Sequence, residues 1–228
     1  MAHPDGSIPF FPPEHLELLR ARGHPCGWET GDVLMREGGR PTELVLLEKG
    51  LVKVTAESSN GYTSVLAVRG PDELLGELSC VDGRPRSATV TALEPVRGTV
   101  VTADHFRRLL TERGALALAV LRSVTERLRD SDRLRAEHGA YPAVVRVARV
   151  LLELTHRYGA PPKGTPRPLE VRITQQELAG AAGASRETVV RALRLLQAEG
   201  WVALGRGRMM VTAPEQLAAW ADCAEVRP

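Results

Sequence analysis

The chain has 228 residues, 43% of them hydrophobic and 25% charged, with a net charge of +2; this is an ordinary soluble composition, sufficient for one or two domains with cores of their own. Cys26, Cys80 and Cys223 lie far apart with no C-x-x-C or Cys/His cluster, which argues against a structural zinc, another metal centre or an iron–sulfur cluster and for free thiols in a reducing cytoplasm. No apolar run approaches the roughly 20 residues of a membrane helix, and MAHPDGSIPFFPPEH has no apolar signal core, so a cytoplasmic protein with no membrane partner is expected.

From about Ile8 to Glu112 the pattern favours short strands, after a short helix over Pro13 to Ala21. VLLEKGLVKVTAES alternates around a Lys49-Gly50 turn. TSVLAVRG, RSATVTALE and VRGTVVT are Val/Thr-rich runs bounded by Gly, Pro and Asp. Such spacing predicts a sandwich or barrel. Within it, Gly76-Glu77-Leu78 and Arg86-Ser87 form a constellation. Glycine lets a backbone approach an anion, and arginine beside a hydroxyl can orient a phosphate. Glu77 could accept from a ribose hydroxyl. From the residues alone, a small-nucleotide site and a Glu–Arg pair bracing a loop stand level. Cys80 reads as a small buried hydrophobe.

A helix follows over Ala103 to Arg113, and a longer one over Ala115 to Glu137. In the latter, Leu121, Val124, Leu128, Ser131 and Arg135 recur at 3-4-3-4 spacing, a narrow seam with charged flanks. That predicts pairing with a second copy of the chain in preference to packing on its own domain. Glu137 to Pro142 then reads as a break, with Gly139 as a hinge between domains. A helix is expected over Val144 to His156, with Val145, Ala148, Leu152 and Thr155 on one side. The Pro/Gly-rich stretch Tyr158–Pro168 is a loop that RNA polymerase could touch, although its composition equally suits a spacer.

The segment ITQQELAGAAGASRETVVRALRLLQAEG, Ile173 to Gly200, is the most informative. Thr174 and Glu177 make a capping box that starts one helix. Gly183 permits a tight turn, and Ser185 caps a second helix. Leu178, Ala179, Ala182, Val189 and Leu193 are placed to pack the pair together. The outer face then carries Arg186, Glu187 and Arg191. Arginine matches guanine O6 and N7, and glutamate accepts from cytosine N4. Gln175, Gln176, Ser185 and Thr188, with Thr174 at the helix start, are placed for phosphate contacts. WVALGRGRMMVT reads as two strands around Gly205–Arg208, a wing that brings Arg206 to the backbone of double-stranded DNA. Residues 139–228 carry 12 Lys/Arg against 8 Asp/Glu, and residues 1–138 carry 18 against 20. The basic excess is mild and falls on the side of the helix pair.

SRETVVRALRLL resembles the recognition helix, and LLGELSCVDGRPRSATVTA the phosphate-binding cassette, of the cyclic AMP receptor branch of the family that also holds the fumarate–nitrate regulators. The resemblance runs from about Ile8 to Thr212. It implies an α+β fold: a cyclic-nucleotide-binding-like β-roll over 1–114, a dimerisation helix over 115–138 and a winged helix-turn-helix over 139–228. It further implies a homodimer with cyclic AMP or a related cyclic nucleotide as effector. Gly76 and Glu77 would hold the ribose, with Leu78 beside them, and Arg86 and Ser87 the cyclic phosphate. Arg186, Glu187 and Arg191 would read a TGTGA-like half-site. Where the family's cyclic AMP sensor meets the adenine with two hydroxyl residues, this chain has Ser131 and Asp132, and Asp132 departs from that pattern. Three readings follow: a nucleotide-gated transcription factor, the same DNA binder with a vestigial or retuned pocket, and a nucleotide-gated module acting on a protein partner. No nucleophile–base set or phosphate-binding glycine loop of the Walker type supports an enzyme.

Overall fold

The computed structural model of the chain describes residues 11–57, 63–159, 169–205 and 207–223, apart from the side chains at 134, 137–139 and 169. The chain divides into two compact units that meet in sequence between Arg129 and Asp130. The sequence placed boundaries after residues 114 and 138. The division falls inside one long helix, between those two boundaries.

The first unit opens with α1 (Pro13–Arg20), followed by β1 (His24–Trp28), β2 (Val33–Met35), β3 (Glu43–Lys49), β4 (Val52–Glu57), β5 (Thr63–Arg69), β6 (Leu74–Leu75), α2 (Glu77–Asp82), β7 (Thr89–Ala92), β8 (Val96–Thr102) and α3 (Ala103–Glu112). The strands form two four-stranded sheets, ordered β1-β8-β3-β6 and β2-β7-β4-β5. The expected Lys49-Gly50 turn carries the chain from one sheet to the other. Gly50 has φ +86°, and a Cβ there would lie 2.5 Å from the Pro95 carbonyl, so glycine is required.

β3 shows why the sheets stack. Its side chains alternate between faces, yet both faces are buried. Leu44 and Leu46 enter a cluster with Phe11, Leu19, Phe106 and Leu116. Val45 and Leu47 face the other way, into a cluster with Met35, Val52, Val90 and Val96. The first cluster seats helices on the sheet, and the second fills the space between sheets.

α4 (Gly114–Ala140) is 27 residues long. Leu116, Ala119 and Val120 bury its first turns in the helix-covered cluster. Leu118, Leu121 and Leu128 point away and are 48%, 60% and 58% exposed. Of the expected seam, Leu121, Leu128 and Arg135 are exposed, and Val124 and Ser131 are half-buried. The expected stop before Gly139 does not occur. The helix runs through Gly139 to Ala140, and the break falls at Tyr141 and Pro142. A single glycine costs a helix only about 1 kcal/mol, whereas Pro142 pushes the residue before it out of the helical region.

The second unit continues with α5 (Ala143–Tyr158), β9 (Leu169–Val171), α6 (Gln175–Ala181), α7 (Arg186–Ala198), β10 (Val202–Gly205), β11 (Arg208–Val211) and α8 (Pro214–Cys223). α5 buries Val147, Val150, Leu151 and Leu154 as well as the expected Val145, Ala148, Leu152 and Thr155. It is the centre of this unit rather than a helix with one covered side. The wing is a three-stranded sheet, β10-β11-β9. Among the described residues no helix is long and apolar enough to cross a membrane.

Candidate nucleotide pocket and DNA-binding surface

In the first unit the structure brings Gly76, Glu77 and Arg86 together. Gly76 precedes α2 with φ +81°, a left-handed conformation that favours glycine. A Cβ there would strike the Arg86 guanidinium and come within 2.7 Å of Met35 Sδ. Arg86 is only 6% exposed. Its Nη1 donates to the Gly76 carbonyl at 2.8 Å, and its Nη2 donates to the Glu43 carbonyl. Its backbone is fixed by exchange with the Gly38-Gly39 turn: Arg86 N donates to Gly39 O at 2.9 Å, and Gly38 N to Arg86 O at 2.8 Å. A permanent cation therefore sits in a backbone cradle.

Glu77 is 3% exposed and does pair with an arginine, but with Arg127 of α4 rather than with Arg86. Arg127 Nη1 donates to Glu77 Oε1 at 2.7 Å, and Nη2 donates to the Leu74 carbonyl at 2.8 Å. Glu73 lies 3.8 Å from the same guanidinium, and Arg69 lies 3.4 Å from Glu73. Arg127 Nε is buried with no hydrogen-bond partner among the described residues. Arg127 thus braces α4 against the start of α2 and against β6. The sequence reading missed Arg127, since its partner lies 50 residues away. Leu78 and Ser87 are exposed. Cys80 is buried and donates to the Glu43 carbonyl at 3.2 Å; burial pushes its thiol above the ordinary value, against the pull of Arg86. Ser131 and Asp132 belong to the second unit. Ser131 is half-buried, and the exposed Asp132 lies 3.6 Å from Arg135, one turn on. Among the described residues no group of three or more His, Cys, Asp or Glu could hold a metal ion.

In the second unit, both helix starts are built as their residue types dictate. Thr174 Oγ1 accepts from Glu177 N at 3.2 Å, and Glu177 Oε2 accepts from Thr174 N at 2.9 Å, closing the capping box. Ser185 Oγ accepts from Thr188 N at 3.2 Å and lies 3.0 Å from Thr188 Oγ1. Removing this cap in Ser185→Ala is expected to cost about 1 kcal/mol, read as a lower denaturant midpoint at unchanged slope. Gly183, at φ +57°, makes the turn. Leu178, Ala179, Ala182, Val189 and Leu193 are all buried between the helices.

The face left outward carries Arg186, Glu187 and Arg191, all exposed. Arg191 Nη2 lies 3.4 Å from Thr188 Oγ1, which aims it back toward the helix start. Glu187 is held below the usual carboxylate range by backbone N–H donation at the helix start, helped by the Ser185 hydroxyl and the two flanking arginines. It is therefore ionised, and an acceptor, through the neutral range and into acid. Thr174, Gln175, Gln176, Arg186 and Arg208 line one open groove of about 240 Å³ between the helix starts and the wing. Arg208 lies 3.7 Å from Glu170 of β9. Arg206 lies outside the described residues, as do residues 160–168 of the expected loop, whose first residue, Tyr158, ends α5.

Arg146 of α5 is the second residue that the sequence reading missed. Its Nε donates to the Ala182 carbonyl at 3.1 Å, its Nη2 to the Gly183 carbonyl at 3.0 Å, and its Nη1 to the Tyr141 carbonyl at 2.9 Å. One guanidinium thus ties the turn of the helix pair to the break after α4.

A strand-built domain with this buried charge cluster, followed by a winged helix-turn-helix, defines a DNA-binding transcriptional regulator with a cyclic-nucleotide-type domain. The family models agree: residues 27–113 match the cyclic nucleotide-binding domain, and residues 145–220 match the Crp-like helix-turn-helix domain. The chain is 30% identical over 206 residues to a CRP-like cAMP-activated global transcriptional regulator from Mycobacterium tuberculosis, covering 90% of this chain and 92% of the relative. It is 31% identical over 199 residues to the cyclic AMP receptor protein of Thermus thermophilus, covering 87% and 88%. The c-di-GMP-responsive global regulator CLP of Xanthomonas campestris shares the fold, with a TM-score of 0.74 at 22% identity over 88% of this chain and 99% of that one. The chain belongs to the CRP/FNR family of transcription regulators.

Proposed function

We propose that this protein is a homodimeric regulator that binds a cyclic nucleotide, cyclic AMP first among them, and reads a palindromic TGTGA-like operator. It acts in the cytoplasm by binding rather than by catalysis, and RNA polymerase is its downstream partner. The observation that carries the DNA reading is the exposed row Arg186, Glu187 and Arg191 at the start of a capped helix beside a wing. The exposed leucines of α4 support pairing with a second copy, since a stripe of that kind at seam spacing gains most by meeting itself. Two recognition helices about 34–36 Å apart then fit successive major grooves. Gly76, Glu77, Arg86 and Ser87 hold the sugar and phosphate. Ligand drives activity by binding the DNA-competent state more tightly.

The test is calorimetric titration with cyclic AMP, cyclic GMP and a cyclic dinucleotide, followed by operator binding with and without each. Cyclic AMP should bind and tighten operator binding. Arg186→Ala should lose about 1–3 kcal/mol at one base pair and leave other positions alone. An equal loss on every sequence would remove the base-reading role. A second reading, a retuned or vestigial pocket, is favoured by Asp132, an exposed carboxylate already beside Arg135 at a position where the family's cyclic AMP sensor has a hydroxyl residue. Equal operator affinity with and without cyclic AMP would select it.

A further inference from the structure

Beyond the pocket and the recognition helix, the second unit contains a closed ring of four charges. Asp130 and Arg133 stand on α4, and Glu153 and Arg157 on α5. Arg157 Nη2 lies 3.1 Å from Asp130 Oδ2 and 3.5 Å from Glu153 Oε1. Arg133 Nη2 lies 3.1 Å from Asp130 Oδ1 and 3.5 Å from Glu153 Oε2. Each carboxylate uses both oxygens, and each arginine bridges both carboxylates. Two of the contacts are within a helix, at i,i+3 and i,i+4 spacing. Those orient the side chains locally, so the two contacts between helices close with less loss of rotamer freedom. Isolated exposed pairs contribute little; a closed, partly buried ring has the geometry that single pairs lack. Burial alone would lower the Arg157 pKa, yet Glu153, Tyr158 and Asp130 outweigh it and raise the value.

We propose that Asp130, Arg133, Glu153 and Arg157 are positioning residues that latch the last turns of α4 onto α5, so that the end of α4 moves with the DNA-binding unit. Three further observations fit. α4 continues to Ala140, leaving two residues before α5. The Tyr141 carbonyl is held by Arg146, and the Tyr141 ring lies under the Arg149 guanidinium, 4.2 Å from its centroid. The compact units also divide before Asp130 rather than at the break. The corner at 141–142 is therefore a fixed elbow, not the free hinge that Gly139 suggested. The regulatory consequence of the latch rests on the nucleotide-gated reading above; the latch itself does not.

The structural test is amide hydrogen exchange on the full-length protein. Glu153→Gln and Arg157→Met should each speed exchange across residues 131–140 by about fivefold or more, with α7 unchanged, and Arg157→Lys should restore part of the protection. Raising salt should speed the same peptides in the unmodified chain, because the ring is only partly buried. Should Arg157→Met fold poorly, Arg133→Met breaks the ring at its most exposed corner and must show the same local effect. Unchanged exchange at 131–140 in Glu153→Gln and Arg133→Met overturns the latch. The functional arm compares operator affinity with and without cyclic AMP. The latch predicts that this ratio shifts by about fivefold or more in Arg157→Met; an unaltered ratio beside altered exchange overturns its positioning role. A parent chain that ignores cyclic AMP refutes the gated reading alone, and the exchange result still decides the latch.

Discussion

Arg86→Met is expected to abolish the nucleotide response and to weaken the first unit at the same time. The Arg86 guanidinium donates to the Gly76 carbonyl and the Glu43 carbonyl from a position that is almost wholly buried. Leaving buried acceptors unpaired costs about 1–3 kcal/mol each. The proposed phosphate contact adds a charge-assisted interaction, and removing one partner of such a pair costs about 2–5 kcal/mol. Cyclic AMP should therefore bind about 100-fold more weakly or worse. Denaturant unfolding should show a lower midpoint for the first unit. Arg86→Lys separates the two effects: it keeps the charge but cannot span two carbonyls and a phosphate in one plane. It should recover part of the binding and little of the stability. Nucleotide affinity that survives Arg86→Met intact would remove Arg86 from the site.

Arg146→Met should have the second large effect, and it differs in kind from that of Arg186→Ala. Arg146 is not one of the proposed DNA contacts; it fixes the carbonyls of Ala182 and Gly183 in the turn between α6 and α7. Its loss removes hydrogen bonds to three carbonyls, including that of Tyr141. The expected cost to the second unit is about 2–4 kcal/mol. Operator affinity should fall by a similar factor on matched and mismatched sequences, because the whole reading face is displaced rather than one contact. A quantitative comparison over a panel of single-base operator variants checks this. A change confined to one base pair would contradict it.

Arg127 and Arg146 mark the limit of what the sequence shows. Local rules found what is local. The capping box at Thr174, the Ser185 cap, the Gly183 turn and the buried Leu178, Ala182, Val189 and Leu193 all follow from spacing and residue type. The strands at 63–69, 89–92 and 96–102 follow from Val/Thr-rich runs. What depends on distant partners was not legible. Nothing near Arg127 announces Glu77, nor does anything near Arg146 announce the turn at 182–183. Several short elements escaped for a related reason. α2 and β9 are too short to show a period, and α8 is held by packing such as Trp220 on Trp201, with ring centroids 5.6 Å apart. Gly139 misled because glycine weakens a helix without having to end it, and alternation on both sides of Gly50 does not reveal which sheet each strand joins.

The cradle around Arg86 has a consequence for how such chains diverge. The same side chain braces a loop and would grip an anion, so a lineage that abandons sensing gains nothing by discarding it. Its persistence in a descendant would testify to architecture and be silent on signalling. The exposed Ser87 carries no such double duty, and a lapse of ligand recognition should register there first.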